Sequence, residues 1–160
     1  MARHLLNLST LSVQYEVSGE SLGYLCVGLS KDKVQGDDET YICAKNAQGG
    51  INVFKASFTG SALQLLPAND IQSAGGTFSG GMITCSFVVT KVSSTDQFFI
   101  FLGKGTLGTN GSFNAPQIQL FSDTKVGLTD LFISSASLNV PSILTAAGAL
   151  LIYAWLGLEL

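Results

Sequence analysis

A two-residue alternation of apolar and polar side chains, broken at intervals of roughly ten residues by glycine or polar turns, limits this chain to short β-strands. Leu11, Val13, Tyr15 and Val17 alternate with Ser12, Gln14 and Glu16, so the four apolar groups share one buried face. Gly19-Glu20-Ser21 reads as a turn, and Leu22–Leu29 is an apolar run short enough for a buried strand. The polar stretch Ser30–Glu39 is expected to be a loop. Thr40–Lys45 and Ile51–Phe58 flank Asn46-Ala47-Gln48-Gly49-Gly50, a hairpin signal in which glycine supplies positive φ. Met82–Thr90 places Ile83, Cys85, Phe87 and Val89 on one face; Phe98–Leu102 is wholly apolar, and Gln117–Phe121 alternates again. About eight or more short strands, with no internal repeat, predict an all-β antiparallel sandwich or barrel rather than a helix-covered parallel sheet. This domain is assigned to residues 10–130, after a tail of residues 1–9.

Beyond Asp130 there is no charge until Glu159, and Ile143–Leu158 is almost wholly apolar. A spacer (131–142) and an apolar tail (143–160) are therefore set apart, the tail being expected to form a helix. Sixteen helical residues span about 24 Å against a hydrocarbon core of about 30 Å, a marginal crossing, and Pro141 weakens any upstream extension. Ser134-Ser135-Ala136 offers the small-residue triplet of a lipid-anchor (GPI) attachment signal, with Ser134 and Ser135 the candidate sites. Membrane attachment through the tail is expected by either route, cleaved lipid-anchor signal or single span; a helix packed on the sandwich or on another subunit is the third. The N-terminus carries too short an apolar run for a complete secretory signal, and an N-terminally incomplete chain is expected.

Net charge is −3, charged residues are 12% of the chain, and no cluster of Lys and Arg exists to grip a phosphate backbone, so no nucleic-acid partner is expected. The single histidine is His4, which leaves the domain without a Ser–His, Cys–His or His–metal constellation and predicts no catalytic residue. Gly103-Lys104-Gly105 and Gly80-Gly81 lack phosphate-loop spacing. Asp32-Lys33-Val34-Gln35-Gly36-Asp37-Asp38-Glu39 concentrates four acids without the spacing of a helix–loop–helix calcium site, and solvated turn carboxylates are expected. Asn7-Leu8-Ser9 and Asn110-Gly111-Ser112 fit the N-glycosylation pattern; Asn110, in a glycine-rich loop, is the better acceptor of the two. Of three cysteines, Cys26 is expected to be a buried, inert thiol, while Cys43 and Cys85 are open between a disulfide and two buried free thiols.

Val13-Gln14-Tyr15-Glu16-Val17-Ser18-Gly19, Gly23–Ser30, Asp32-Lys33-Val34-Gln35-Gly36-Asp37-Asp38 and Tyr41-Ile42-Cys43 together resemble the DOMON domain of animal ferric-chelate-reductase-like proteins. Gly81–Phe87 is similar to that family's second cysteine strand and Phe98–Gly105 to a later apolar strand, so the resemblance covers about residues 12–126. It implies an immunoglobulin-like β-sandwich, exposure on the extracellular face of the plasma membrane, and a Cys43–Cys85 disulfide. Haem-binding members use a loop Met and a later His as axial ligands. Here Gln35 stands at the Met position and no His follows His4, so no cofactor is expected, haem b included. The resulting expectation is a non-catalytic module for an unknown ligand or protein partner, its pocket an apolar space between the sheets lined by Gln35, Cys26 and Phe101. The rival expectation is a haem-binding redox domain, or truncated ferric-chelate-reductase relative, with Met82 as an unorthodox ligand.

Overall fold

The computed structural model describes residues 10–34, 36–59, 62–93, 95–127 and 151–156. Within them lie eleven strands: β1 (Thr10–Glu20), β2 (Tyr24–Ser30), β3 (Asp38–Lys45), β4 (Ile51–Thr59), β5 (Ala62–Leu66), β6 (Ile71–Ser79), β7 (Met82–Ser93), β8 (Gln97–Gly105), β9 (Gln117–Phe121), β10 (Val126–Gly127) and β11 (Leu151–Leu156). All pairings are antiparallel and form two sheets arranged as a sandwich. The smaller sheet runs β11-β1-β7-β6; the larger runs β10-β8-β2-β3-β4-β5, with β9 also on β8.

Alternation places the core as the sequence predicts. Val13, Tyr15 and Val17 from β1 and Ile83, Cys85, Phe87 and Val89 from β7 meet Leu25, Val27, Leu29, Tyr41, Cys43 and Leu102 of the larger sheet. At the centre, the Tyr15, Tyr41 and Phe87 rings lie 5.0–5.6 Å apart, centroid to centroid. Cys43 and Cys85 are joined beside them, with Cα atoms 6.3 Å apart, inside the usual disulfide range. The pairing that composition left open is thus made, as the resemblance implies.

β2 is buried on both faces. Its alternate residues Tyr24 and Cys26 join Ile42, Ala44, Ala56 and Phe101 in a second apolar cluster on the outer side of the larger sheet. Phe113 caps that cluster, meeting Tyr24 and Phe54 edge-on at 5.3 and 5.4 Å. Glycine makes room for the rings: a Cβ on Gly28 would stand 1.9 Å from Phe101 Cζ, and one on Gly105 would stand 2.3 Å from the Tyr24 ring.

Two expectations need correction. The helix expected in the 143–160 tail is not what the described part of that segment forms. Leu151–Leu156 is a strand, registered on β1 from Val13↔Leu156 to Ser18↔Leu151. Without it, one side of β1 would present a row of unpaired backbone groups, and Ile152, Tyr153 and Trp155 are residue types that suit a strand. No helix among the described residues is long and apolar enough to cross a membrane. Leu22, expected within a buried strand, precedes β2 and is 82% exposed. Asn7, Gln35, Ser134, Ser135, the spacer and the remainder of the tail lie outside the described residues.

A sequence separation of 42 between the bonded cysteines corresponds to about 4 kcal/mol of lost chain entropy in the unfolded state. Denaturant titration of the Cys43→Ala/Cys85→Ala double variant should show a loss of that order; a loss below about 1 kcal/mol would remove the disulfide from the account of stability. The Tyr15 hydroxyl, in contrast, is buried without a hydrogen-bond partner among the described residues. Tyr15→Phe keeps the ring and deletes the unpaired group, so the same titration should show stability unchanged or raised by up to about 1 kcal/mol.

Candidate functional site

Turns from both sheets converge at one end of the sandwich around a cleft of ≈ 550 Å³. Glu20, Ser21 and Leu22 from the β1–β2 turn and Gly80-Gly81 from the β6–β7 turn form part of its lining. Lys104 and Thr106 at the end of β8 and Gln117 at the start of β9 contribute polar groups. The Ser21 amide donates to Gly81 O at 3.0 Å, tying the two turns together. Ser21 Oγ donates to Tyr24 O at 2.8 Å, so this hydroxyl holds the turn. Gly80 and Gly81 have φ of 59° and 85°, and a Cβ on either would meet nothing within 4 Å, so bare backbone borders open space. Among the described residues both salt bridges belong to Lys55, which leaves Glu20 and Lys104 unpaired at the cleft. The lining therefore offers a carboxylate, an ammonium, an amide, a hydroxyl and one exposed leucine, at a volume typical of small-ligand sites. Sequence reasoning passed over it because its residues come from four separate turns and strand ends; Gly19-Glu20-Ser21, Gly80-Gly81 and Gly103-Lys104-Gly105 were each visible beforehand, but nothing in the sequence joined them.

Of the residues expected to line a pocket between the sheets, Cys26 and Phe101 belong to the outer cluster instead, and Gln35 lies outside the described residues. The three central rings and the disulfide pack together between the sheets. Phe101 lies over Gly28, with the Phe121 ring stacked at 5.8 Å. The ring of Phe101 holds the space above Gly28, and no imidazole is placed among the described residues. Met82 stands at the opposite sheet, opposite Glu20 and Ser79 in the strand register.

The acidic loop divides its carboxylates among different tasks. Asp32 Oδ1 accepts from the Val34 amide at 2.9 Å, and Asp38, 5% exposed, accepts from the Gly36 amide at 3.3 Å. Burial raises the Asp38 carboxyl above its ordinary pKa despite the hydrogen bonds from Ser30 and Gly36. Glu39 turns away to accept from the Tyr41 hydroxyl and to bind Lys55 Nζ at 3.1 Å. Lys55 Nζ also reaches Asp70 at 2.6 Å. Burial pulls the ammonium's pKa down, but the bonds from Asp70 and Glu39 outweigh it and hold the pKa above its usual value. Solvated turn carboxylates thus describe only part of this run. No group of three or more His, Cys, Asp or Glu among the described residues is placed to hold a metal ion. This Glu39–Lys55–Asp70 corner was missed because its members are sixteen and fifteen residues apart, with no local signal.

Asn110 sits in an exposed turn, its Oδ1 accepting from the Ser112 amide at 3.1 Å and hydroxyl at 2.6 Å. Cys26 is buried and unbonded, 1% exposed, and burial pushes its thiol up to about 12.

These features define a disulfide-linked, all-β module with an open end cleft. The chain is 25% identical over 156 residues to the putative ferric-chelate reductase 1 of Danio rerio, covering 90% of this chain and 26% of that protein. It is 27% identical over 154 residues to ferric-chelate reductase 1 of Homo sapiens, covering 91% of this chain and 26% of that protein. Over 75 residues, 47% of this chain and 26% of the relative, it is 27% identical to the DOMON domain-containing protein FRRS1L of Homo sapiens. The chain spans about a quarter of the length of the curated relatives it matches. No family model and no solved structure matches it. These relatives bear out the resemblance to the DOMON domain of animal ferric-chelate-reductase-like proteins.

With its pKa raised to about 12, the Cys26 thiol is deprotonated in only about one molecule in 10⁴ at pH 8. Iodoacetamide at pH 8 should leave the folded chain unlabelled and add one group per chain in denaturant without reductant. Labelling of the folded chain, or three groups in denaturant, would contradict this placement of the cysteines.

Proposed function

We propose that this chain is a non-catalytic, immunoglobulin-like DOMON module that binds a ligand or protein partner on the extracellular face of the plasma membrane. The observation that carries the reading is the donor inventory: one imidazole in 160 residues, at His4, six positions before β1 begins. Acid–base turnover at neutral pH and axial ligation of haem iron both draw on histidine, and the sandwich has none. The end cleft is then the natural seat for a ligand, with Lys104, Glu20, Thr106 and Gln117 supplying orientation and Leu22 supplying apolar contact. An oxidising compartment suits the Cys43–Cys85 bond and is where Asn110 and Asn7 would meet glycosylation machinery.

Tethering is assigned to the apolar tail, by a lipid at Ser134 or Ser135 or by a span over residues 143–160. A span would require Leu151–Leu156 to leave β1, because the same backbone groups cannot satisfy a sheet edge and a membrane helix together. A second reading, a haem-binding redox domain, is favoured by the names of the ferric-chelate reductase 1 relatives. Adding haem b to the full chain and recording the visible spectrum separates the two. The binding-module reading expects no saturable Soret shift at one equivalent; a stoichiometric Soret band with low-spin features would establish the redox reading. Intact mass of protein from a secreting eukaryotic host should show a glycan on Asn110 and the intact disulfide, and three free thiols would refute the extracellular assignment.

A further inference from the structure

The edge of the larger sheet at β5 is a site for a second copy of this chain, we infer, through antiparallel pairing of β5 with its own counterpart about a two-fold axis at Gln64. Among the described residues β5 pairs only with β4, in unbroken register from Lys55↔Leu66 to Thr59↔Ala62. Ala62-Leu63-Gln64-Leu65-Leu66 carries no charge and no proline, and Leu65 and Leu66 are 51% and 37% exposed. Proteins that leave an edge strand unpaired ordinarily guard it with charge, proline, a bulge or brevity. On the opposite side of the same sheet, β9 pairs across a register shift and β10 is two residues long. β5 has neither device. Its nearest cation, Lys55, opposite Leu66, is committed to Glu39 and Asp70 and does not defend the edge.

The sequence of β5 is complementary to itself. With Gln64 facing Gln64 of the second copy, Leu63 falls opposite Leu65 and Ala62 opposite Leu66. Leu63 packs on the outer apolar cluster, and Leu65 lies opposite Ala56 of that cluster. Pairing would therefore join four leucines in one row continuous with the outer clusters of both copies. On the other face the two Gln64 amides can exchange hydrogen bonds, each offering a donor and an acceptor. The two larger sheets become one continuous sheet, a closed isologous arrangement that uses up the edge.

Because residue 64 meets itself, the test is built on charge at that position. Sedimentation velocity of the full chain over a range of concentrations should show a monomer–dimer equilibrium. Gln64→Lys and Gln64→Glu should each weaken it by about tenfold or more, since each sets like charges opposite one another. Mixing the two variants should restore a dimer holding one of each, readable by native mass spectrometry from their mass difference. Thermal unfolding of each variant, compared with the parent, shows whether the sandwich is retained; if one fails to fold, Leu65→Lys takes its place as the second edge variant. A parent chain that stays monomeric overturns the proposal. So does association that ignores charge at position 64, as attraction through the apolar tail would, and so does a mixture that fails to pair.

Discussion

Two sheets of unequal width are held face to face by a single patch in which a covalent bond and three aromatic rings lie side by side. Tyr41 and Cys43 are alternate residues of β3, Cys85 and Phe87 are alternate residues of β7, and Tyr15 of β1 is registered on Phe87. Each pair presents both members to the interior because side chains two apart on a strand share a face. A slip of one residue in any of these strands would turn ring and sulfur outward together. The disulfide therefore fixes register as well as sheet separation, and the ring cluster fills the volume around it with large, stiff groups.

Filling the interior in this way moves the opportunity for binding elsewhere. β2 has no solvent face, so half of its side chains must pack on the outside of the larger sheet, against Phe101, Phe54 and Phe113. Gly28 and Gly105 let the Phe101 and Tyr24 rings lie almost on the backbone, which keeps this outer layer thin. A planar ligand seeking the same ground would have to displace the chain's own ring. Among the described residues an open cleft lies at the end of the sandwich, where Gly80 and Gly81 present bare peptide. Binding there costs no rearrangement of the core.

The central strands were legible in the sequence because they alternate against a buried face. β1, β3, β4, β7, β8 and β9 lie where alternation or apolar runs place them, and the resemblance correctly pairs Cys43 with Cys85. Two edge strands, β6 and β5, were not legible. β6, Ile71–Ser79, is Gly- and Ser-rich and mostly exposed, with Ser73 at φ 50° and a register shift beside it, so no period survives to be read. β5 is five residues, exposed at four, and its leucines look no different from loop leucines until β4 is seen alongside. The site fared worse than the fold. The cleft and the Lys55 corner assemble groups far apart in the chain, each ordinary on its own, whereas the residues that drew notice beforehand were cysteines, sequons and acids with local patterns.

Edges are the unfinished business of an open sandwich, and β1 is one that the chain covers with a segment of its own tail. At β1 an uncharged six-residue segment pairs with the side of the strand away from β7, in unbroken register from Val13↔Leu156 to Ser18↔Leu151. The composition that makes Leu151–Leu156 a good partner for a sheet edge, apolar and free of charge, is also what suits a bilayer, since both surroundings demand that peptide groups be satisfied without water. A strand borrows its partners from β1 and a helix makes its own, so the two states compete for the same peptide groups and differ in what they leave behind. Departure of the tail reopens the β1 edge along Val13–Ser18, whose inward residues Val13, Tyr15 and Val17 remain anchored in the core. The sandwich would therefore keep its seam while the outermost strand of the smaller sheet changes from β11 to β1, and the state of the tail sets which backbone edge that sheet presents.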